Sequence, residues 1–206
     1  AISRPAQAEH RHVKQTGGHG QYAHVVIAFE PSEEEGLEFV SKIRGGSVPT
    51  EYHASVKRGI EYAMEQGILA GYSLVGVKAV LVDGTAHTVD SSDMAFRAAA
   101  RQCFRKAAAS AGARILEPVM KVEIATPDEY IGDIVGDIGS RRGKVLSMRR
   151  FRKGAQKIEA LVPLAEMFGY ATPLRTMSSG RANFAMEFHR YDPVPAAVQE
   201  RIIKER

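Results

Sequence analysis

Apolar and polar positions change period several times along the chain, and each change marks an element. Tyr22 to Phe29 ("YAHVVIAF") is β-branched and aromatic with no helical period, and Glu9 to Thr16 ahead of it is an extended polar run. With "GGHG" between them, the pattern predicts a β-hairpin. Gly17, Gly18 and Gly20 allow positive φ or close backbone approach there, leaving His19 and Gln21 at a loop tip. Tyr52, Val56, Ile60, Ala63 and Met64 then recur at helical spacing, with Pro49 ahead and Gly67 just behind. "GYSLVGVKAVLVDG" reads as a strand closed by Asp83-Gly84. A second polar loop around His87 leads into a long helix, about Ser92 to Ala111, with Asp90, Ser91 and Ser92 as candidate N-caps. Met94, Phe96, Ala99, Cys103, Phe104 and Ala107 supply its packing face.

A new pattern begins near residue 115. Val119 to Ala125 alternates as a strand, and Thr126-Pro127-Asp128-Glu129 reads as a capping box with proline at the first helical position. Ile131, Ile134, Val135 and Ile138 form the buried stripe of the helix that follows. Arg141 and Arg142 fall in its last turn before Gly143, well placed on the helix dipole. "GKVLSMRRF" and "AQKIEALVPL" read as two strands joined by the basic turn "RRFRKG". "TPLRTMSSG" reads as a short helix capped by Thr172, with Pro173 at its first position and Gly180 as its stop, and "ANFAMEFHRY" as a further strand. The order βαββαβ is the split-βαβ, ferredoxin-like pattern. A last amphipathic helix, Val194 to Lys204, carries Val198, Ile202 and Ile203 on one side. The pattern therefore predicts an α+β chain of two domains, residues 1–115 and 116–192, with a C-terminal helix over 193–206.

Composition narrows the classes without changing that layout. With 206 residues, 44% of them hydrophobic, the chain has enough apolar surface for two cores. The single cysteine, Cys103, excludes an internal disulfide framework and a cysteine-based zinc cluster, and so predicts a reducing, cytoplasmic setting. No apolar run approaches a membrane span, and the first residues lack a hydrophobic signal core. The chain starts on Ala1 rather than methionine, which predicts a part of something longer. The net charge of +4 is modest but unevenly spread. Arg141, Arg142, Lys144, Arg149, Arg150, Arg152, Lys153 and Lys157 crowd one stretch that contains no acidic residue. Such density is the footprint of a phosphate-facing surface. Glu33 to Glu35 reads as a solvated loop.

Enzyme chemistry is imitated rather than present. "GSRRGKV", Gly139 to Val145, resembles the end of a phosphate loop. It has one residue too few between its glycines, valine where a magnesium-holding hydroxyl belongs, and a helix instead of a strand ahead of it. His10 and His12 share a strand face, but no HExxH pattern, cysteine or paired carboxylate stands at ligand spacing, and His10, His12 and His24 read as strand-surface residues. The hydroxyls of "DSSD" are better used as helix caps, with no glycine elbow around them. The expectation is a chain with no catalytic residue, no metal site and no cofactor of its own.

"QTGGHGQYAHV", "GGSVPTEY", "DGTAHTVDSSDMAF", "ILEPVMKVEIATPDEYIGDIVGDIGSRRGKV" and "ALVPLAEMFGYATPLR" resemble, in order and without gaps, the C-terminal part of translation elongation factor G, the ribosomal translocase. The resemblance runs from about Ser3 to Lys204. It implies a ribosomal-protein-like α/β fourth domain with a left-handed βαβ crossover, then a ferredoxin-like fifth domain, with the final helix returning to pack on the fourth. It also implies that the fourth domain's tip contacts the codon–anticodon duplex in the decoding centre through loops matching Gly18 to Tyr22 and His87 to Ser91. Gly18, His19, Gly20, Gln21, His87, Asp90 and Ser91 are the corresponding residues. Gln21 and His87 are the chief contacts, and Asp90 and Ser91 hold the second loop. Arg141, Arg142, Lys144, Arg149, Arg150, Arg152 and Lys153 are expected to face ribosomal RNA. The implied partners are the ribosome, tRNA, mRNA and the GTPase domains of the same protein, which would hold GTP and magnesium. No membrane is implied, and a monomer is expected. The chain departs from the family's usual pattern at His19, where a cation is usual, and at Ala86 and Thr88, where an aromatic and an acid are usual. Pro173 replaces a usual aspartate. Those departures keep open a specialised paralogue acting in ribosome recycling, and a free-standing basic RNA-binding module remains a further alternative.

Overall fold

A computed structural model describes residues 1–15, 18 and 20–205 of the chain. It divides into two compact units, Ala1–Ile115 together with the segment from Pro195, and Leu116–Val194.

In the first unit β1 (Ala6–Lys14) and β2 (Gln21–Pro31) form the antiparallel hairpin, with Ala6 opposite Phe29 and Lys14 opposite Gln21. Strand alternation sends Ala23, Val25, Ile27 and Phe29 to one face, where all four are buried. The strand β3 (Leu37–Ser41) follows the acidic loop, and the helix α1 (His53–Gln66) comes after it. The strand β4 (Val77–Thr85) begins later than the sequence pattern implied and extends past Asp83-Gly84. The sheet order is β1-β2-β4-β3, with β3 parallel to β4 and α1 in the crossover between them. Sequence reading missed β3: it has five residues, none fully buried, too few for alternation to show.

The helix α2 (Asp93–Ser110) is capped by Ser92, whose hydroxyl accepts the Ala95 N–H at 3.2 Å. Phe96, Ala99, Cys103, Phe104 and Ala107 are all buried, whereas Met94, assigned to the same stripe, is exposed. Phe104 meets Phe29 edge-on at 5.2 Å between ring centroids, joining helix to sheet. Helix α5 (Ala196–Lys204) belongs to this unit, and Gln199 Oε1 accepts the Ile115 N–H at 2.8 Å. Val198 and Ile202 are half-buried, but Ile203 is exposed.

The second unit runs β5 (Leu116–Pro127), α3 (Ile131–Ser140), β6 (Lys144–Arg152), β7 (Ala155–Pro163), α4 (Ala171–Met177) and β8 (Asn183–Pro193). All pairings are antiparallel in the order β6-β7-β5-β8, a ferredoxin-like sheet. Val122, Ile124, Ile158, Ala160 and Val162 face Ile134, Ile138, Tyr170 and Leu174 in its core. Alternation puts Lys121, Glu123, Lys157 and Glu159 on the other face, where Lys157 pairs with Glu123 at 2.8 Å and Arg149 with Glu159 at 2.7 Å.

Two expected helix caps are not made. Thr126 is buried within β5 opposite Gln156, a 3-10 turn over Asp128–Tyr130 precedes α3, and Glu129 pairs with Arg181 instead of closing a capping box. The sheet ladder takes the threonine that the helix would have used. Likewise α4 starts at Ala171, so Thr172 and Pro173 lie inside its first turn and Tyr170 precedes it without a side-chain cap.

Candidate nucleic-acid interface

The first candidate surface is built from two loops of the first unit, and Ser91 ties them together. Its hydroxyl donates to Tyr22 O at 2.7 Å and accepts the His87 N–H at 2.8 Å, while its own N–H reaches His87 O at 3.2 Å. Tyr22 N–H donates to Asp90 O at 2.8 Å, and the Tyr52 hydroxyl to Ser91 O at 3.3 Å. Tyr52 is in turn stacked on Phe96 at 4.6 Å, which ties the loop to the core. Gly20 lies against the Asp90 carboxylate: a Cβ there would stand 3.0 Å from Cγ, so a side chain would displace that carboxylate.

Within that frame His87 is aimed by its own loop. Nδ1 accepts the N–H groups of Val89 at 3.4 Å and Asp90 at 3.3 Å and lies 3.4 Å from Asp90 Oδ2. Among the described residues Nε2 has no partner, so the ring can offer it to an outside group. The side chain is 54% exposed. Gln21 differs from the free tip side chain expected of it. It opens β2, its Oε1 sits 2.9 Å from His12 Nε2, and its amide nitrogen is 3.8 Å from Met94 Sδ. Among the described residues its second amide hydrogen has no partner. Gly18 has φ +148° in open space. His19 lies outside the described residues. The sequence reading placed Tyr22 in the first loop without giving it a role, read His12 as a strand-surface residue, and gave Tyr52 and Met94 to helix packing faces.

The basic stretch of the second unit separates into two parts. Arg141 and Arg142 are internal. Arg141 donates to Asp137 at 2.8 Å and to Glu166 O at 2.6 Å, and lies 4.8 Å from the buried Tyr170 ring. Arg142 holds Glu117 with two bonds, 2.6 and 2.9 Å, and Glu166 with a third at 2.9 Å. Pairing first with Glu117 and then with Glu166 keeps its guanidinium protonated well above the ordinary range. Its backbone explains the position. Arg142 has φ +58° and its N–H reaches Gly139 O, while Gly143 N–H reaches Ile138 O, a Schellman end to α3. A Cβ on Gly143 would meet Ile138 O at 2.7 Å, so the glycine is needed there and the arginine takes the left-handed position. Arg149 and Lys157 are paired across the sheet. Lys144, Arg150, Arg152 and Lys153 have no carboxylate partner among the described residues, and the last three cluster at the β6–β7 turn.

Other chemistry is sparse. Among the described residues no three His, Cys, Asp or Glu side chains gather as a metal site. His10 is less of a surface residue than its strand position implied: Nδ1 is buried without a hydrogen bond, and burial, then Lys106, lowers its pKa. No helix among the described residues is long and apolar enough to cross a membrane.

A family model described as elongation factor G, domain IV matches residues 1–112, and one described as elongation factor G C-terminus matches residues 114–202. The chain belongs to the elongation factor G family. A crystal structure of a protein from Thermus thermophilus superposes over 99% of the chain with a TM-score of 0.84 at 37% identity. The chain spans 30% of that protein's length. In elongation factor G terms, the paired loops belong to the domain IV match and the basic hairpin to the C-terminal match. The chain thus carries two translation elongation factor domains of mixed α/β build, and the family's GTPase domain is not among the matched segments.

Proposed function

We propose that these domains are the ribosome-engaging part of a translational GTPase that promotes movement of tRNA and mRNA, with the paired loops meeting the codon–anticodon duplex. The observation that carries this reading is the Ser91 bridge. It fixes two loops as one body and leaves His87 Nε2 and a Gln21 amide hydrogen for an outside partner, which suits an A-form duplex recognised by shape, 2′-OH and phosphate across its shallow minor groove. Lys144, Arg150, Arg152 and Lys153 supply the charge for ribosomal RNA, whereas Arg141 and Arg142 serve the fold. GTP and magnesium would sit in a nucleotide domain of the same protein, which would work as a monomer in the cytoplasm. A role in ribosome recycling is the second reading, favoured by Ala86 and Thr88 in the loop that His87 leads.

Cys103 makes a direct test practical. It is fully buried, and burial pushes its thiol up to about 12, so at neutral pH it stays protonated and unreactive. In a full-length protein whose other domains have had their cysteines replaced, Thr88→Cys therefore takes a tethered iron chelate at one place. Hydroxyl-radical cleavage of small-subunit RNA around the decoding site is expected. Cleavage confined to other regions would contradict the placement.

A further inference from the structure

The β6–β7 turn holds an aromatic ring among its unpaired cations. In the ladder Arg150 stands opposite Gln156 and Arg152 opposite Ala155, which leaves Phe151 with no cross-strand partner, and β6 is an edge strand. A bulge at that place re-aims the extra side chain. Phe151 is 45% exposed. Arg152 Cζ lies 5.2 Å from its ring centroid and Lys157 Nζ 5.9 Å, with Lys157 itself held by Glu123. Compare Tyr170, whose cation neighbour Arg141 is committed to Asp137 and whose ring is buried. At Phe151 the ring is exposed, and among the described residues Arg150, Arg152 and Lys153 pair with no acid.

We propose that Phe151 is a stacking platform for an unpaired RNA base, with Arg150, Arg152 and Lys153 holding the phosphates on either side of that nucleotide. An exposed aromatic ring among cations is the combination that binds single-stranded nucleic acid: the ring takes a base face and the charges follow the backbone. A continuous duplex hides its base faces, so the ring adds nothing there, and the platform selects a loop, bulge or flipped base. The proposal rests on the reading of this hairpin as RNA-facing and adds to it the kind of RNA.

The chain contains no tryptophan, so Phe151→Trp places a single indole on the platform. Phe168→Trp, at a site 77% exposed, is the control. Each variant is titrated with a single-stranded oligoadenosine of about 12 nucleotides, within the span such surfaces cover, and with an RNA duplex of about the same length. The single strand is expected to quench the indole at 151 and not at 168, and the duplex to quench neither. Phe151→Ala is expected to weaken single-strand binding by roughly 5- to 150-fold and leave duplex binding unchanged. Equal binding of both RNAs with no quenching at 151 would overturn the platform and leave a hairpin that binds by charge alone. Absence of binding to either RNA would overturn the RNA-facing reading and the platform with it.

Discussion

The loop pair of the first unit and the basic hairpin of the second both bring polar residues to exposed turns, yet they are built in opposite ways. In the loop pair the polar groups that join the loops are already used: Ser91 bridges three backbone groups and His87 accepts two N–H groups on one nitrogen. What remains outward is a shape, His87 Nε2 and one Gln21 amide hydrogen. In the hairpin three cations have no acid partner among the described residues, and an aromatic ring is exposed. The difference teaches that charge density alone does not mark a binding surface. Arg141 and Arg142 add as much to the basic run as Arg150 and Lys153 do, but their charge is neutralised by Asp137, Glu117 and Glu166.

The widest separation should come from Arg142. Its side chain is 29% exposed and bound to two carboxylates, so Arg142→Ala should cost about 2–3 kcal/mol, between the values for surface and fully buried pairs. Arg142→Gly should cost about 1 kcal/mol less, because glycine relieves the left-handed backbone. Urea unfolding of both variants checks the order. Equal losses would mean that the φ of +58° carries no strain, and a negligible loss in each would return Arg142 to the solvated cations.

Ser91→Ala comes next. It removes both side-chain bonds of the bridge and should cost about 1–2 kcal/mol, while hydrogen exchange at the His87 and Tyr22 amides quickens. Unchanged exchange at both amides would show that the two loops are not one body. The hairpin should give the smallest stability effect. Glutamine at Arg150, Arg152 and Lys153 should change stability by less than about 0.5 kcal/mol each. The same triple variant should flatten the salt dependence of ribosome association by roughly 0.7 to 0.9 in slope for each phosphate no longer neutralised. A large stability loss with an unchanged slope would reverse the comparison between the two basic groups.

Much of the fold was legible because long periodic segments declare themselves. The β1–β2 hairpin, α1, α2 and the βαββαβ order follow from patterns that packing did not overrule. The two missed helix caps share one cause, a residue with two possible uses. Thr126 has the cap chemistry for α3 but is buried in the ladder opposite Gln156, and Thr172 falls inside a helix that starts before it. The site was legible in its residue types and not in its wiring. Sequence places His87 and Ser91 four apart, but nothing in it reveals that Ser91 reaches Tyr22 across 69 residues or that His12 holds Gln21. The cations in "RRFRKG" were plain, whereas the ring among them gained meaning only from the register that leaves Phe151 unpaired.

The central claim is that the loop pair acts on the moving tRNA–mRNA duplex, and it is tested most directly by timing two steps in one reaction. In the full-length protein, His87→Ala and Gln21→Ala are followed by rapid kinetics that report GTP cleavage and mRNA movement together. Losing one hydrogen bond to the moving duplex should slow movement roughly 5- to 30-fold, which corresponds to about 1 to 2 kcal/mol, with GTP cleavage near the unmodified rate. Movement at the unmodified rate in both variants, or equal slowing of both steps, would contradict the claim.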